Sequence, residues 1–109
     1  MSIKLIADSG STKTEWCLIN GKSKKKIQTQ GISPYFLTET QVHEILKKEL
    51  INKTKMVNPD EIFFYGTGCS NTTNIKMIKN ALKFVFPKSK IHVDHDLMGA
   101  AKDRKSTRL

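Results

Sequence analysis

The residues best suited to chemistry form one polar run near the start of the 109-residue chain. The run consists of Asp8, Ser9, Gly10, Ser11, Thr12, Lys13 and Thr14. Gly10 permits a tight bend at a point where a side chain would collide with a ligand, and successive backbone N–H groups in such a turn form a concavity that binds anions. The hydroxyl groups add donors, and Lys13 adds positive charge. The run therefore predicts either a phosphate site or an ordinary polar hairpin loop, because the same residue types favour turns.

Asp8 differs from the rest of this run because it is negatively charged. A carboxylate repels a phosphate but suits a metal ion or the waters bound to that ion. We therefore expect Asp8 to contact a metal ion through water. The two cysteines and three histidines lack the spacing of a metal site; they are Cys17, Cys69, His43, His92 and His95.

Short apolar runs predict the strands that position this polar run. The strands are expected at residues 3–7, 15–19, 24–30, 61–65 and 90–94. The first two flank the polar run directly. Asn20 and Gly21 predict a tight hairpin between the second and third strands, because both central positions of a type I′ turn require positive φ.

Helical spacing of apolar residues predicts two helices. The first covers residues 39–53, with Thr38 and Gln41 forming a capping box at its start. The second begins at residues 71–73 and ends before Pro87. The resulting order, β-β-β-α-β-α-β, predicts an α/β fold in which helices pack on a mixed sheet.

Composition narrows the functional classes. There are 19 lysines and arginines against 10 acidic residues, a net charge of +9. The lysines are scattered without interleaved aromatic residues, so the charge favours a lysine-rich surface over a nucleic-acid-binding site. No apolar run reaches the roughly 20 residues of a transmembrane helix, and no secretory signal is present. These observations predict a cytoplasmic protein that binds neither nucleic acid nor membrane.

Four segments together resemble a known family. The polar run, between two hydrophobic strands, resembles the first phosphate loop of the actin-like ATPase and sugar-kinase superfamily, and the element order resembles its ribonuclease-H-like N-terminal lobe. The closer resemblance is to the BadF/BadG/BcrA/BcrD ATPase family, and within it to bacterial N-acetylglucosamine kinase-like proteins. It covers residues 1 to about 101 and is carried by residues 5–16 (LIADSGSTKTEW), 31–36 (GISPYF), 64–69 (FYGTGC) and 94–101 (DHDLMGAA).

The resemblance implies a kinase site. ATP phosphates and Mg²⁺ would be held by Asp8, Gly10, Ser11, Thr12, Lys13 and Thr14, with Asp8 acting on Mg²⁺ through water. Asp96 would be the catalytic base that takes or orients the proton of a sugar hydroxyl as the γ-phosphoryl group arrives. The alternative role for Asp96 is an N-cap of a following helix, and Asp94 is a weaker rival for the base. We expect the turn at Gly10 and the segment at Asp96 to lie on one edge of the sheet, after neighbouring strands.

The sugar would lie against two further loops. The implied sugar-binding residues are Ser33, Tyr35, Gly66, Thr67, Gly68 and Asp96. Characterised amino-sugar kinases carry an asparagine where residues 33–35 of this chain read Ser-Pro-Tyr. Tyr35 could instead stack on a sugar face, so the substrate class stays an amino sugar or a hexose.

The family places ATP between two lobes, and the second phosphate loop and the adenosine-binding segment come from the C-terminal lobe. We expect residues 1–101 to form the N-terminal lobe and residues 102–109 to be a basic irregular tail from a truncation or a vector-derived scar. An isolated lobe would be inactive, and its bare interlobe surface could drive formation of a homodimer. Two alternatives to a sugar kinase stay open. They are an ATPase that couples nucleotide state to a partner protein, as in dehydratase activators, and a non-catalytic lone lobe.

Overall fold

A computed structural model describes residues 3–10, 12–35, 37–54, 58–66 and 72–94. Its strands are β1 (Ile3–Ser9), β2 (Lys13–Asn20), β3 (Ser23–Gln30), β4 (Glu61–Gly66) and β5 (Lys90–Asp94). Its helices are α1 (Glu39–Ile45), which continues as a π-helical segment (Leu46–Ile51) and a last turn α2 (Asn52–Thr54), and α3 (Thr72–Val85). No helix among these residues is long and apolar enough to span a membrane.

The strands form one mixed sheet in the order β3-β2-β1-β4-β5. The first three strands pair antiparallel, whereas β4 is parallel to β1 and β5 is parallel to β4. The predicted α/β class and element order are confirmed. Because β1, β4 and β5 point the same way, their carboxyl ends meet at one edge of the sheet, and the β1–β2 loop lies at that edge.

The core lies on one face of the sheet, where both long helices pack. Strand alternation directs Leu5, Ala7, Trp16, Leu18, Ile62, Phe64 and Ile91 to this face. The helical side of the core is supplied by Val42, Ile45, Leu46, Leu50, Ile78, Ala81 and Leu82. The Trp16 and Phe64 rings lie 5.9 Å apart at its centre. This packing holds β1, β2 and β4 rigidly behind the loops at their ends.

The helix predicted over residues 39–53 is present but is not a uniform α-helix. Its start is as expected, because the Thr38 side chain accepts from the Gln41 backbone and the Gln41 side chain accepts from the Thr38 backbone. From Leu46 to Ile51 the helix widens to π geometry while Leu46 and Leu50 stay buried. Apolar spacing does not distinguish such a widened turn from an α-helix.

The β2–β3 hairpin differs from the prediction by one residue. Asn20 pairs with Ser23, so the two-residue loop is Gly21-Lys22 rather than Asn20-Gly21. Gly21 has φ of 63°, a left-handed value that glycine adopts without steric cost. The glycine therefore takes the first loop position, and Asn20 closes the strand pair.

Side chains of the first helical segments cover the outer edge of β3. The Gln30 N–H donates to Glu49 Oε1 at 2.9 Å, and Lys53 Nζ donates to the Gln28 carbonyl at 3.0 Å. These bonds satisfy backbone groups that an edge strand leaves unpaired. They also anchor the end of β3, where residues 31–35 begin.

Candidate functional site

The β1–β2 loop presents the exposed part of the polar run. Gly10 donates its N–H to the Lys13 carbonyl at 2.9 Å, which closes the loop around residues 11 and 12. Asp8, Thr12 and Lys13 are exposed. An open pocket of about 280 Å³ lies here, lined by Asp8, Ser9, Gly10, Thr12, Lys13 and Glu15. The Gly10 N–H is used within the loop, so it is not one of the anion-binding donors expected from the sequence.

Gly10 is not required by the fold itself. Its φ is not in the left-handed region, where Gly21 lies, and an added Cβ would come no closer than 3.7 Å to the Lys13 carbonyl oxygen. That separation is an ordinary van der Waals contact. A side chain at this position would therefore fit the protein, and Gly10 lines the pocket.

The charges around this pocket are mixed. Lys13 Nζ lies 3.7 Å from Glu15 Oε1, and both side chains are well exposed. The Asp8 backbone pairs with Glu15 and Tyr65, and among the residues that the structure describes its carboxylate has no hydrogen bond or ion pair. A phosphate here would meet two carboxylates and one ammonium group, so it would bind best together with a cation that Asp8 could hold. Carboxylate oxygens and bound waters are the ligands that Mg²⁺ prefers, so Asp8 fits the expected metal role.

Thr14 lies in the interior rather than in the pocket. It is fully buried, and its hydroxyl is 2.7 Å from the Ser9 hydroxyl. Ser9 in turn bonds to the backbone of Ile32, accepting from its N–H at 3.1 Å and donating to its carbonyl at 3.0 Å. Thr14 thus helps to hold the loop in place, and the direct phosphate contact expected for it stays a prediction.

Residues 31–35 form the second loop at this edge. Ser33 is buried, and its hydroxyl accepts from the Tyr35 N–H at 3.3 Å. The Ser33 carbonyl accepts from the Leu37 N–H at 3.0 Å. Ser33 therefore shapes the loop, and the direct sugar contact expected for it stays a prediction. Tyr35 is 61% exposed and presents its ring to solvent.

The ends of β4 and β5 complete the edge. Gly66 is buried and pairs with Ser9, so the end of β4 adjoins the β1–β2 loop. Asp8, Tyr65 and Asp94 lie in register across β1, β4 and β5 on the sheet face opposite the helices. The expectation that β1 and β5 are neighbours is wrong, because β4 lies between them. Ser11, Thr67, Gly68 and Asp96 lie outside the described residues.

One functional candidate was missed by the sequence reasoning. Ser9 was included in the polar run without a role, although it shares strand parity with Leu5 and Ala7 on the buried face. A serine at a buried strand position needs hydrogen-bond partners. That parity is the signal that could have identified it.

Comparison with solved structures shows what this chain is similar to. A proposed N-acetylglucosamine kinase from Porphyromonas gingivalis shares 31% identity with this chain at a TM-score of 0.80, over 94% of the chain. This chain is similar to that protein in both sequence and fold. The predicted resemblance and the fold class are thereby confirmed. The chain covers 37% of the P. gingivalis protein, so it spans little more than a third of that protein's length.

More distant matches share only the fold. YeaZ from Pseudomonas aeruginosa has a TM-score of 0.51 at 16% identity, over 97% of this chain and 51% of YeaZ. A second protein from the same organism, described as similar to the peptidase YeaZ, has a TM-score of 0.53 at 17% identity, over 99% of this chain and 50% of that one. No family model and no curated protein sequence matches the chain.

Proposed function

We propose that the chain is the phosphate-binding lobe of an ATP-dependent sugar kinase, most similar to an N-acetylglucosamine kinase. Its reaction would transfer the γ-phosphoryl group of Mg-ATP to a sugar hydroxyl. The observation that carries this proposal is the glycine at position 10, which the fold does not require and which lines a pocket with the exposed Asp8, Thr12 and Lys13. The similarity to the P. gingivalis protein supports the same conclusion.

On the nucleotide side, each residue has a distinct part. Gly10 gives the phosphate chain room to approach the backbone. Thr12, Lys13 and Ser11 contribute donors and positive charge, and Asp8 holds Mg²⁺ through water, which neutralises the phosphate oxygens. Thr14 acts from the interior, through Ser9, by fixing the end of β1. Phosphoryl transfer depends mainly on such positioning and charge neutralisation.

On the sugar side, the exposed Tyr35 ring offers a stacking surface for a pyranose face. Ser33 orders the Tyr35 backbone, and the loop that follows Gly66, with Thr67 and Gly68, borders the sugar. Asp96 follows β5, whose carboxyl end lies at the same edge as Gly10. We assign Asp96 as the base that accepts the hydroxyl proton.

Catalysis requires a second lobe in this proposal. Residues 1–101 form the first lobe and residues 102–109 lie outside it. A facing lobe supplies the adenosine pocket, the second phosphate loop and exclusion of water. We place the reaction in the cytoplasm, where ATP is available. That the chain forms a homodimer stays a prediction.

The binding part of the proposal is tested by titrating the 109-residue chain with Mg-ATP. We expect binding no tighter than about 1 mM, equivalent to about 4 kcal/mol, because only one side of the cleft is present. NMR shifts should centre on Gly10, Thr12 and Lys13 and should weaken when Mg²⁺ is omitted. Shifts elsewhere, or none at 10 mM nucleotide, would contradict the site.

The catalytic part is tested in a two-lobed protein that carries this lobe. A coupled assay with N-acetylglucosamine and glucose should show sugar-dependent ADP release. Asp96→Asn should remove most turnover and leave ATP binding largely intact. Hydrolysis that is independent of sugar would favour the alternative, an ATPase that acts on a partner protein. Equal loss of turnover and ATP binding would assign Asp96 a structural role.

A further inference from the structure

The Ser9 hydroxyl joins the two candidate ligand loops from inside the protein. Ser9 is the last residue of β1 and is 2% exposed. Its Oγ lies 3.0 Å from the Ile32 carbonyl oxygen, 3.1 Å from the Ile32 nitrogen and 2.7 Å from Thr14 Oγ1. One hydroxyl therefore contacts β1's partner strand and a loop 23 residues further along the chain.

These contacts use most of the hydrogen-bonding capacity of the group. A serine hydroxyl has one proton to donate and two lone pairs to accept with. The Ile32 carbonyl oxygen at 3.0 Å is a closer acceptor for the proton than the Gly10 carbonyl oxygen at 3.5 Å. With the proton on the Ile32 carbonyl, one lone pair accepts from the Ile32 N–H and the other accepts from the Thr14 hydroxyl. Because the group is buried and hydrogen-bonded, its geometry is well defined, and moving one partner without the others would break a buried bond.

The bonds fix the backbone on each side of the site. Ser9 immediately precedes Gly10 and the nucleotide-side loop. Ile32, which is 1% exposed, immediately precedes Ser33 on the sugar-side loop, and Tyr35 follows two residues after Ser33. A displacement of the end of β1 is thus transmitted to the Ile32 peptide group, and from there to Tyr35.

We propose that Ser9 is a positioning residue that couples the phosphate loop to the sugar-side loop, so that nucleotide binding sets the position of Tyr35. This inference rests on the proposed function. It adds that the nucleotide site and the sugar site are coupled through one buried hydroxyl group, and that this coupling lies within the first lobe. Ser9 itself touches neither substrate.

The test uses backbone NMR of the 109-residue chain titrated with Mg-ATP. In the wild type, the amides of Gly10 and Lys13 should shift, and the amide of Tyr35 should shift with the same apparent affinity. In Ser9→Ala the shifts at Gly10 and Lys13 should remain, and the shift at Tyr35 should fall at least threefold. Thr14→Val, which keeps both bonds between Ser9 and Ile32, should retain the Tyr35 response.

Ser89→Ala is the matched control. Ser89 is also 2% exposed, and its hydroxyl also donates to a backbone carbonyl, that of Pro59. It lies just before β5, at the opposite edge of the sheet. A general loss of stability would affect both alanine variants, whereas coupling between the loops should be lost only in Ser9→Ala.

Each outcome decides the question. Equal Tyr35 shifts in the wild type and Ser9→Ala would overturn the coupling and leave the proposed function standing. No shift at Gly10 in the wild type would overturn the proposed function and this inference with it. If Ser9→Ala does not fold, hydrogen exchange of the wild type decides: Mg-ATP should slow exchange of the Ile32 amide at least twofold, and unchanged exchange would overturn the coupling.

Discussion

The two edges of the sheet use their polar residues in opposite ways. At the edge where β1, β4 and β5 begin, Asp60 bonds to β1 and β5, the strands on either side of β4. Its N–H donates to the Ile3 carbonyl at 2.7 Å, its carboxylate accepts from the Ile3 N–H at 2.7 Å, and its carbonyl accepts from the Lys90 N–H at 2.9 Å. The buried Ser89 hydroxyl donates to Pro59 beside it. Polar groups at this edge are bonded to the chain itself.

At the edge where the same strands end, the outermost polar side chains are left to solvent. Asp8, Thr12 and Lys13 are exposed, and the ion pair between Lys13 and Glu15 is exposed as well. The inner hydroxyls of Ser9, Thr14 and Ser33 are bonded internally. The difference indicates that one edge stabilises the sheet and the other is available for ligands, a division expected when loops on a rigid scaffold carry function.

The largest effect we expect is at the stabilising edge. Ser89→Ala removes a buried donor and leaves the Pro59 carbonyl without it, which should lower the free energy of unfolding by about 2 kcal/mol. Urea denaturation followed by Trp16 fluorescence measures this loss. Binding of Mg-ATP by the folded fraction should be unchanged, and a parallel loss of binding would mean that the two edges are not independent.

Gly10→Ala, at the ligand edge, should weaken Mg-ATP binding and leave stability almost unchanged. The added methyl group fits the protein, with its nearest neighbour at 3.7 Å, so stability should change by less than about 0.5 kcal/mol. It occupies the space proposed for phosphate, so affinity for Mg-ATP should fall at least tenfold, or about 1.4 kcal/mol. Denaturation and NMR titration of the same sample separate the two quantities. Unchanged affinity would show that the space at Gly10 is not used.

Much of the fold could be predicted from the sequence. Apolar runs together with the hairpin signal at Asn20-Gly21 predicted the five strands that the structure describes, and the pairing of Thr38 with Gln41 predicted the helix start. The resemblance to N-acetylglucosamine kinase-like proteins predicted the fold class. These features depend on residues that are close together in the sequence, so the types and spacing of neighbouring residues are sufficient to predict them.

The features that escaped prediction depend on tertiary contacts. Thr14 was read as part of a polar loop, although it shares parity with the buried Trp16 and Leu18. Ser33 and its neighbour Ile32 are both buried, although the surrounding loop residues are the polar and turn-forming types typical of the surface. The hydrogen bonds between Ser9 and Ile32 join positions that are 23 residues apart. No local sequence pattern predicts such a contact. The roles of Asp96, Thr67, Gly68 and Ser11 stay predictions.

A smaller effect is expected from Asp60→Asn. The substitution keeps both backbone bonds and an oxygen acceptor but removes the charge that strengthens the bond from the Ile3 N–H. Because this bond is exposed, the loss of stability should be about 1 kcal/mol, and binding of Mg-ATP should again be unchanged. Thermal unfolding monitored by circular dichroism is sufficient to measure it. A loss as large as that of Ser89→Ala would show that the carboxylate contributes more than its exposure suggests.

The smallest effect we expect is from Lys13→Gln, at the ligand edge. Its ion pair with Glu15 is solvent-exposed, and such pairs contribute little to folding, so the free energy of unfolding should change by no more than about 0.3 kcal/mol. Loss of one positive charge beside the phosphate should weaken Mg-ATP binding about threefold, or roughly 0.6 kcal/mol, and the difference should shrink at high salt because exposed charges are screened. Lys24→Gln, which changes an exposed lysine on the distant edge strand in the same way, is the matched control. If both variants weaken binding equally, the nucleotide responds to the overall charge of the chain and not to the β1–β2 loop.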